Sequence, residues 1–243
     1  MPRGPETAAL WLAAAVALAS PAGAQEMPDA SHVVPAAYAA VAAEVSGRID
    51  FEETGRIAEP GMLVEGLYSH PGGRIGERFT GQALLVARDA QGGRFDALSG
   101  QPTPPLQVRP GAPGETLSLA HHRGLGSMAA FALGPAGFPD IAARGEGALA
   151  VRFAVPQRAT GLRLHAGYPD PLGARPAPGA MVVTFYAADG RLLGRSHHAL
   201  TTGAMAFAWR FPQVPVAGIT LTTTDPGGLA VDDILFAPAL PTS

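Results

Sequence analysis

The side chains with the most chemical reach in this 243-residue chain are acids set among apolar residues. Asp232 and Asp233 interrupt the run Gly227-Gly228-Leu229-Ala230-Val231-Asp232-Asp233-Ile234-Leu235-Phe236, and Asp50, Glu52 and Glu53 lie around Phe51 after Ile49. An unpaired carboxylate is costly to bury. Such acids therefore accept backbone hydrogen bonds, pair with arginines such as Arg48, reach solvent at strand ends, or ligate a cation. A glycoside-cleaving pair must flank a cleft at about 5–9.5 Å. Neighbours on a strand, such as Asp232 and Asp233, point to opposite faces. Glu52 opposite Asp232 has no obvious groove beside it.

The remaining candidates are sparse. Of the seven histidines, His121–His122 and His197–His198 are adjacent, and His32, His70 and His165 stand alone. HExxH and His-x-His ligand sets are absent, so a transition-metal site would need residues gathered from distant positions. Ser127 follows Gly126, but no Gly-x-Ser-x-Gly elbow surrounds it. Tyr168 and Asp170, in Tyr168-Pro169-Asp170-Pro171, are the candidate ligand-binding residues, because their turn chemistry suits an exposed loop. Trp209 alternates in phase with Met205, Phe207 and Phe211, which places it in the core. The chain has no cysteine, and all 17 basic residues are arginine. Thiol catalysis, thiolate metal sites and Schiff-base lysine chemistry are thereby excluded. A net charge of −3 argues against a nucleic-acid partner. No catalytic motif emerges, and the expectation is a protein that is not an enzyme.

The elements that must position these residues are strands. Gly 31 and Pro 24 suit a turn-rich β-protein. Leu149, Val151, Phe153 and Val155 alternate with Ala148, Ala150, Arg152 and Ala154. Leu162 and Leu164 alternate with Arg163 and His165, and Ala188-Asp189-Gly190 between two apolar runs signals a hairpin. Ile219, Leu221 and Thr223 mark the next strand, and the run after Gly228 is the last. On that last strand Leu229, Val231 and Leu235 occupy one face, with Ala230, Ile234 and Phe236 on the other. Ile49 and Phe51 alternate with Asp50 and Glu52, giving a first strand over residues 49–53 that pairs with the last. Earlier strands, around Met62–Val64, Ala83–Val86, Leu117–Ala120 and Met128–Leu133, are shorter.

The beginning of the chain is organised differently. Arg3, the apolar run Ala8–Ala19 and Ala22-Gly23-Ala24 have the order of a cleavable signal peptide over residues 1–24. Residues 25–47 form a leader, in which Pro35–Val45 has the propensity for a short N-terminal helix but lacks a strong apolar stripe, so a loosely attached or disordered segment is the alternative. The domain occupies residues 48–237, followed by a short tail at 238–243. The apolar run is too short for a membrane span, and no later stretch is long enough. A secreted or periplasmic chain is expected.

The runs Ile49-Asp50-Phe51-Glu52 and Leu229-Ala230-Val231-Asp232-Asp233-Ile234 resemble the signature ends of MAM domains and of galactose-binding-like carbohydrate-binding modules. The stretches Val182–Phe185, Ala188-Asp189-Gly190, Leu193-Gly194, Gly218-Ile219 and Gly228–Phe236 are similar to exported bacterial β-sandwich proteins of the PEP-CTERM type. The cysteines of MAM domains and the C-terminal sorting signal are missing. The resemblance implies an all-β, antiparallel jelly-roll β-sandwich. It also implies a structural Ca²⁺ between the first and last strands, with Glu52 and Asp232 as ligands and Asp50 and Asp233 as further contributors. Calcium takes six to eight oxygens. The implied role is non-catalytic binding of a glycan or another cell-surface ligand. The competing expectation is an envelope structural or protein-interaction domain, and an unrecognised hydrolase comes third.

Overall fold

The computed structural model describes residues 32–88, 92–167 and 177–238. The expected signal peptide, the first part of the expected leader, the tail from residue 239, and both Tyr168 and Asp170 lie outside the described residues. The described chain begins with β1 (Val34–Ala36) and the short helix α1 (Tyr38–Glu44). Val41 is fully buried, and Tyr38, Ala42 and Val45 pack beside it over Ala159, Ala208 and Leu235. The later part of the expected leader is thus docked onto the domain, because even a weak apolar side gains by covering a sheet face.

β2 (Gly47–Ile49) follows and ends earlier than the alternation of Ile49 and Phe51 suggests. Phe51 adopts φ 60° and Glu52–Thr54 form a 3-10 turn, so residues 50–53 leave the strand. Phe51 is nonetheless fully buried. Its ring anchors the turn, and the acids around it are carried on a bend.

The chain continues through β3 (Met62–Val64), β4 (Tyr68–His70), β5 (Gly73–Gly76) and β6 (Arg78–Phe79). A hairpin, β7 (Ala83–Arg88) and β8 (Arg94–Ser99), precedes β9 (Val108–Arg109). Then come β10 (Leu117–His122), β11 (Ser127–Ala132), β12 (Leu149–Gln157), β13 (Ala159–Ala166) and β14 (Ala180–Tyr186). The last four are β15 (Leu192–Ala199), β16 (Gly203–Arg210), β17 (Val216–Thr223) and β18 (Ala230–Phe236).

Two antiparallel sheets face each other. The larger runs β1-β16-β13-β18-β11-β10-β3, with β2 also on β18; the smaller runs β15-β14-β17-β12-β5-β4. The consecutive strands β11 to β18 contribute β16-β13-β18-β11 to one layer and β15-β14-β17-β12 to the other. That interleaving is the jelly-roll order. The core between the layers includes Ile49, Phe51, Phe153, Phe185, Trp209, Phe211, Ile234 and Phe236. Trp209 is 1% exposed, as its phase requires.

The two ends of the domain are neighbours. Ile49 pairs with Ile234, Arg48 with Leu235 and Gly47 with Phe236. The Phe236 ring needs the missing side chain of Gly47, since a Cβ there would lie 2.5 Å from it.

One correction concerns the faces of β18. Leu229, Val231, Ile234 and Phe236 all join the central core, whereas Ala230 and Leu235 pack on the outer side. Pairing with β13 slips by one residue between Gly161↔Leu235 and Arg163↔Asp232, and Asp233 has φ 49°. This is a β-bulge, which inverts the alternation beyond it. Asp tolerates this left-handed conformation better than most residues.

Candidate functional site

The bulge brings the two adjacent acids of β18 to the same side. The Ser127 hydroxyl donates to Asp232 Oδ2 at 2.6 Å, and the backbone N–H of Asp233 donates to Asp232 Oδ1 at 2.6 Å. Asp233 receives Arg48 at 3.0 Å and Arg163 at 2.6 Å. The partners sit on outer positions of β2, β11 and β13. Strict alternation would have separated the acids, so only the extra residue explains their neighbourhood.

Glu52 comes to the same edge from the 3-10 turn, where its Oε1 accepts the backbone N–H of Met128 at 2.8 Å. Glu52 and Asp232 thus converge on Ser127–Met128. Asp50 turns to its own bend, accepting the Glu52 N–H at 3.2 Å. Burial pushes the Asp232 carboxyl up to about 6, against the pull of the Ser127 hydrogen bond. Tyr38, its hydroxyl 3.4 Å from the Asp233 carbonyl, rises to about 12 through burial and then the Asp233 charge.

Among the described residues, no three His, Asp or Glu side chains gather as a metal-binding group. Asp233 faces two guanidinium groups, and Asp50 serves its own bend. What remains for a Ca²⁺ is Glu52 and Asp232, short of the six to eight oxygens the ion takes. The oxygens that these two acids commit accept N–H or O–H donors. The residues present therefore match an arginine-neutralised acid cluster better than a calcium cage.

His122 of the β10–β11 hairpin and His165 of β13 reach the same outer face. His122, opposite Ser127 in register, is fully buried, and its ring meets His165 at 4.6 Å. Glu59 lies 3.6 Å from His122 Nδ1 and 2.6 Å from Arg144. Burial, followed by the neighbouring His122, lowers the pKa of His165. Serine, histidine and aspartate are therefore near one another, but in the wrong order for nucleophilic catalysis. A triad serine gives its proton to histidine, which the acid orients; here Ser127 donates directly to Asp232.

The outer face of the smaller sheet holds features that the sequence reading missed. Thr220, Thr184 and Arg195 form one cross-strand row, and Thr222, Val182 and His197 the next. The β7–β8 hairpin covers these rows, leaving a groove of about 320 Å³. At its base the amide of Gln82 donates to the Tyr186 hydroxyl at 3.0 Å. Thr184 and Thr220 are buried, and Arg195 and His197 form an exposed rim. No carboxylate lines this groove among the described residues.

Beyond Phe79 and Leu106, which close over Gly218, a second cleft of about 800 Å³ opens toward β5 and β4. A Cβ at Gly218 would lie 2.6 Å from the Phe79 ring. Ser69, Arg74, Gln107 and Arg152 supply polar side chains of this cleft. The signal for both sites was faint in sequence: Thr184, Thr220 and Thr222 alternate on strands, but only the sheet order makes them neighbours. In comparisons of the chain with protein-family models, curated proteins and solved structures, none matched.

Proposed function

We propose that this protein is a non-catalytic extracytoplasmic binding module whose groove beneath the β7–β8 hairpin takes a glycan. The observation that carries the reading is a hydroxyl-floored groove, with a guanidinium on its rim and no carboxylate in its lining among the described residues. Its volume falls within the about 300–1,000 Å³ common for small-ligand sites. Threonine hydroxyls, the Gln82–Tyr186 pair and Arg195 offer donors and acceptors suited to sugar hydroxyls. Glycoside cleavage needs two acids across the bond, and the described residues of the lining supply neither. Export through the N-terminal signal and the resemblance to carbohydrate-binding modules support the same reading.

A glycan array probed with protein beginning at Gln25 tests it. Binding to a defined sugar set is expected, with Arg195→Ala weakening it about tenfold and the melting temperature unchanged, because Arg195 is exposed. No glycan bound, or equal binding by Arg195→Ala, discards the groove assignment.

A protein-interaction role is the second reading. Leu85 and Val86 on β7 are 52% and 48% exposed, an apolar pair on a two-stranded hairpin. Pull-down by intact protein but not by Leu85→Ser would favour it over glycan binding.

A further inference from the structure

The second cleft on the outer face of the smaller sheet contains an arrangement that a folded protein normally avoids. Arg152 on β12 and Arg74 on β5 are register partners, and Ser69 on β4 continues the row beyond Arg74. Like charges directly opposite on neighbouring strands repel and destabilise the pair. Surface arginines commonly resolve this with a nearby carboxylate. Among the described residues neither arginine has one: the ion pairs found there all lie elsewhere.

Arg152 is also half-buried, and burial lowers its pKa. Its Nη1 donates to the carbonyls of Phe153 and of Ala217. These bonds fix the guanidinium plane and leave its Nε and Nη2 donors uncommitted. His70, in the row of Gly73 and the buried Phe153, turns to the other side of the sheet, where its Nδ1 accepts the Gly72 N–H at 3.0 Å. Its ring stands edge-on to Phe236 at 5.7 Å. The cleft thus joins two unneutralised guanidinium groups, a hydroxyl and the Gln107 amide around about 800 Å³, with no acid in its lining among the described residues.

We infer that the Arg74–Arg152 cleft is an anion-binding site, taking a ligand with a carboxylate, sulfate or phosphate group held between the two guanidinium forks. Planar guanidinium groups match such oxyanions bidentately. The anion would turn the cross-strand repulsion into a bridge. The site is independent of the glycan groove, from which Phe79 and Leu106 separate it, so each can stand or fall alone.

The test uses calorimetry and thermal melts of the intact protein with sodium sulfate, sodium phosphate and sodium glucuronate, against NaCl at matched ionic strength. Saturable binding of at least one anion is expected, with a melting-temperature rise beyond that in NaCl. Sulfate or phosphate binding identifies a tetrahedral oxyanion, and glucuronate binding a carboxylate-bearing sugar. Arg74→Gln should weaken binding at least tenfold. It should leave the melting temperature in anion-free, low-salt buffer equal to or above that of the wild type, since it removes a repulsion. An arginine serving only the fold would lower it. Arg152→Gln should also lose binding, and Arg191→Gln, at the far β14–β15 turn, should bind as the wild type does. No saturable binding of any of the three anions, or wild-type affinity in Arg74→Gln, overturns the inference.

Discussion

Asp232 shows how one buried acid is tolerated. It is 1% exposed, yet both of its oxygens accept hydrogen bonds and Arg163 lies close by. Burial still dominates, and its pKa stands at about 6 against an ordinary 3.8. An acid with a raised folded-state pKa costs stability above that pKa, and the cost disappears as pH falls through the window toward the unfolded value. Asp232→Asn should therefore be more stable than wild type by on the order of 2 kcal/mol at pH 8. The difference should shrink between about pH 6 and 4 and vanish below, read from urea melts at each pH. Asp96 is also raised to about 6 by burial, while His165 and His198 are lowered. These groups are common to both proteins and cancel in the difference. A gap that does not change with pH would refute the assignment.

At the scale of elements, α1 illustrates how little apolar surface suffices to dock a helix. A seven-residue helix is too short to persist alone in water. Val41 reaches into the seam formed by Ala159, Ala208 and Leu235, and Arg210 of β16 pairs with Glu44 at the helix end. The ion pair is solvent-exposed and contributes little, so burial of Val41 must dominate. Val41→Ala should cost about 1–3 kcal/mol, measured by chemical denaturation, whereas Glu44→Gln should change stability by less than about 1 kcal/mol. The strand alternation that defines β12, β13 and β16 was readable in sequence, because each has one face in the core. Where the alternation ran past its strand, at residues 50–53, Phe51 misled: a buried ring on a bend has the same spacing as one on a strand.

At the scale of the whole molecule, the meeting of β2 with β18 adds the start of the domain to the larger sheet and unites residues nearly two hundred positions apart. That seam is held by Ile49, Ile234 and Phe236 in the core and by Arg48 and Arg163, which neutralise Asp233. Removing divalent ions with EDTA should leave the melting curve unchanged, and adding Ca²⁺ should not raise it. A rise on adding Ca²⁺ would restore Glu52 and Asp232 as ligands. No helix among the described residues is long and apolar enough to cross a membrane.

The sequence by itself determined the class of architecture, the hairpin at Asp189-Gly190 and the core placement of Trp209. These follow from local periodicity, turn chemistry and burial, which each segment carries within a few residues. Only the tertiary structure decided the side of Asp233, the identity of its arginine partners and the existence of both clefts on the smaller sheet. A bulge is one residue of mismatch between two distant strands. Arg74 and Arg152 become opposed only when β5 and β12 pair. Such contacts depend on sheet order and register, properties that no single stretch of the chain contains.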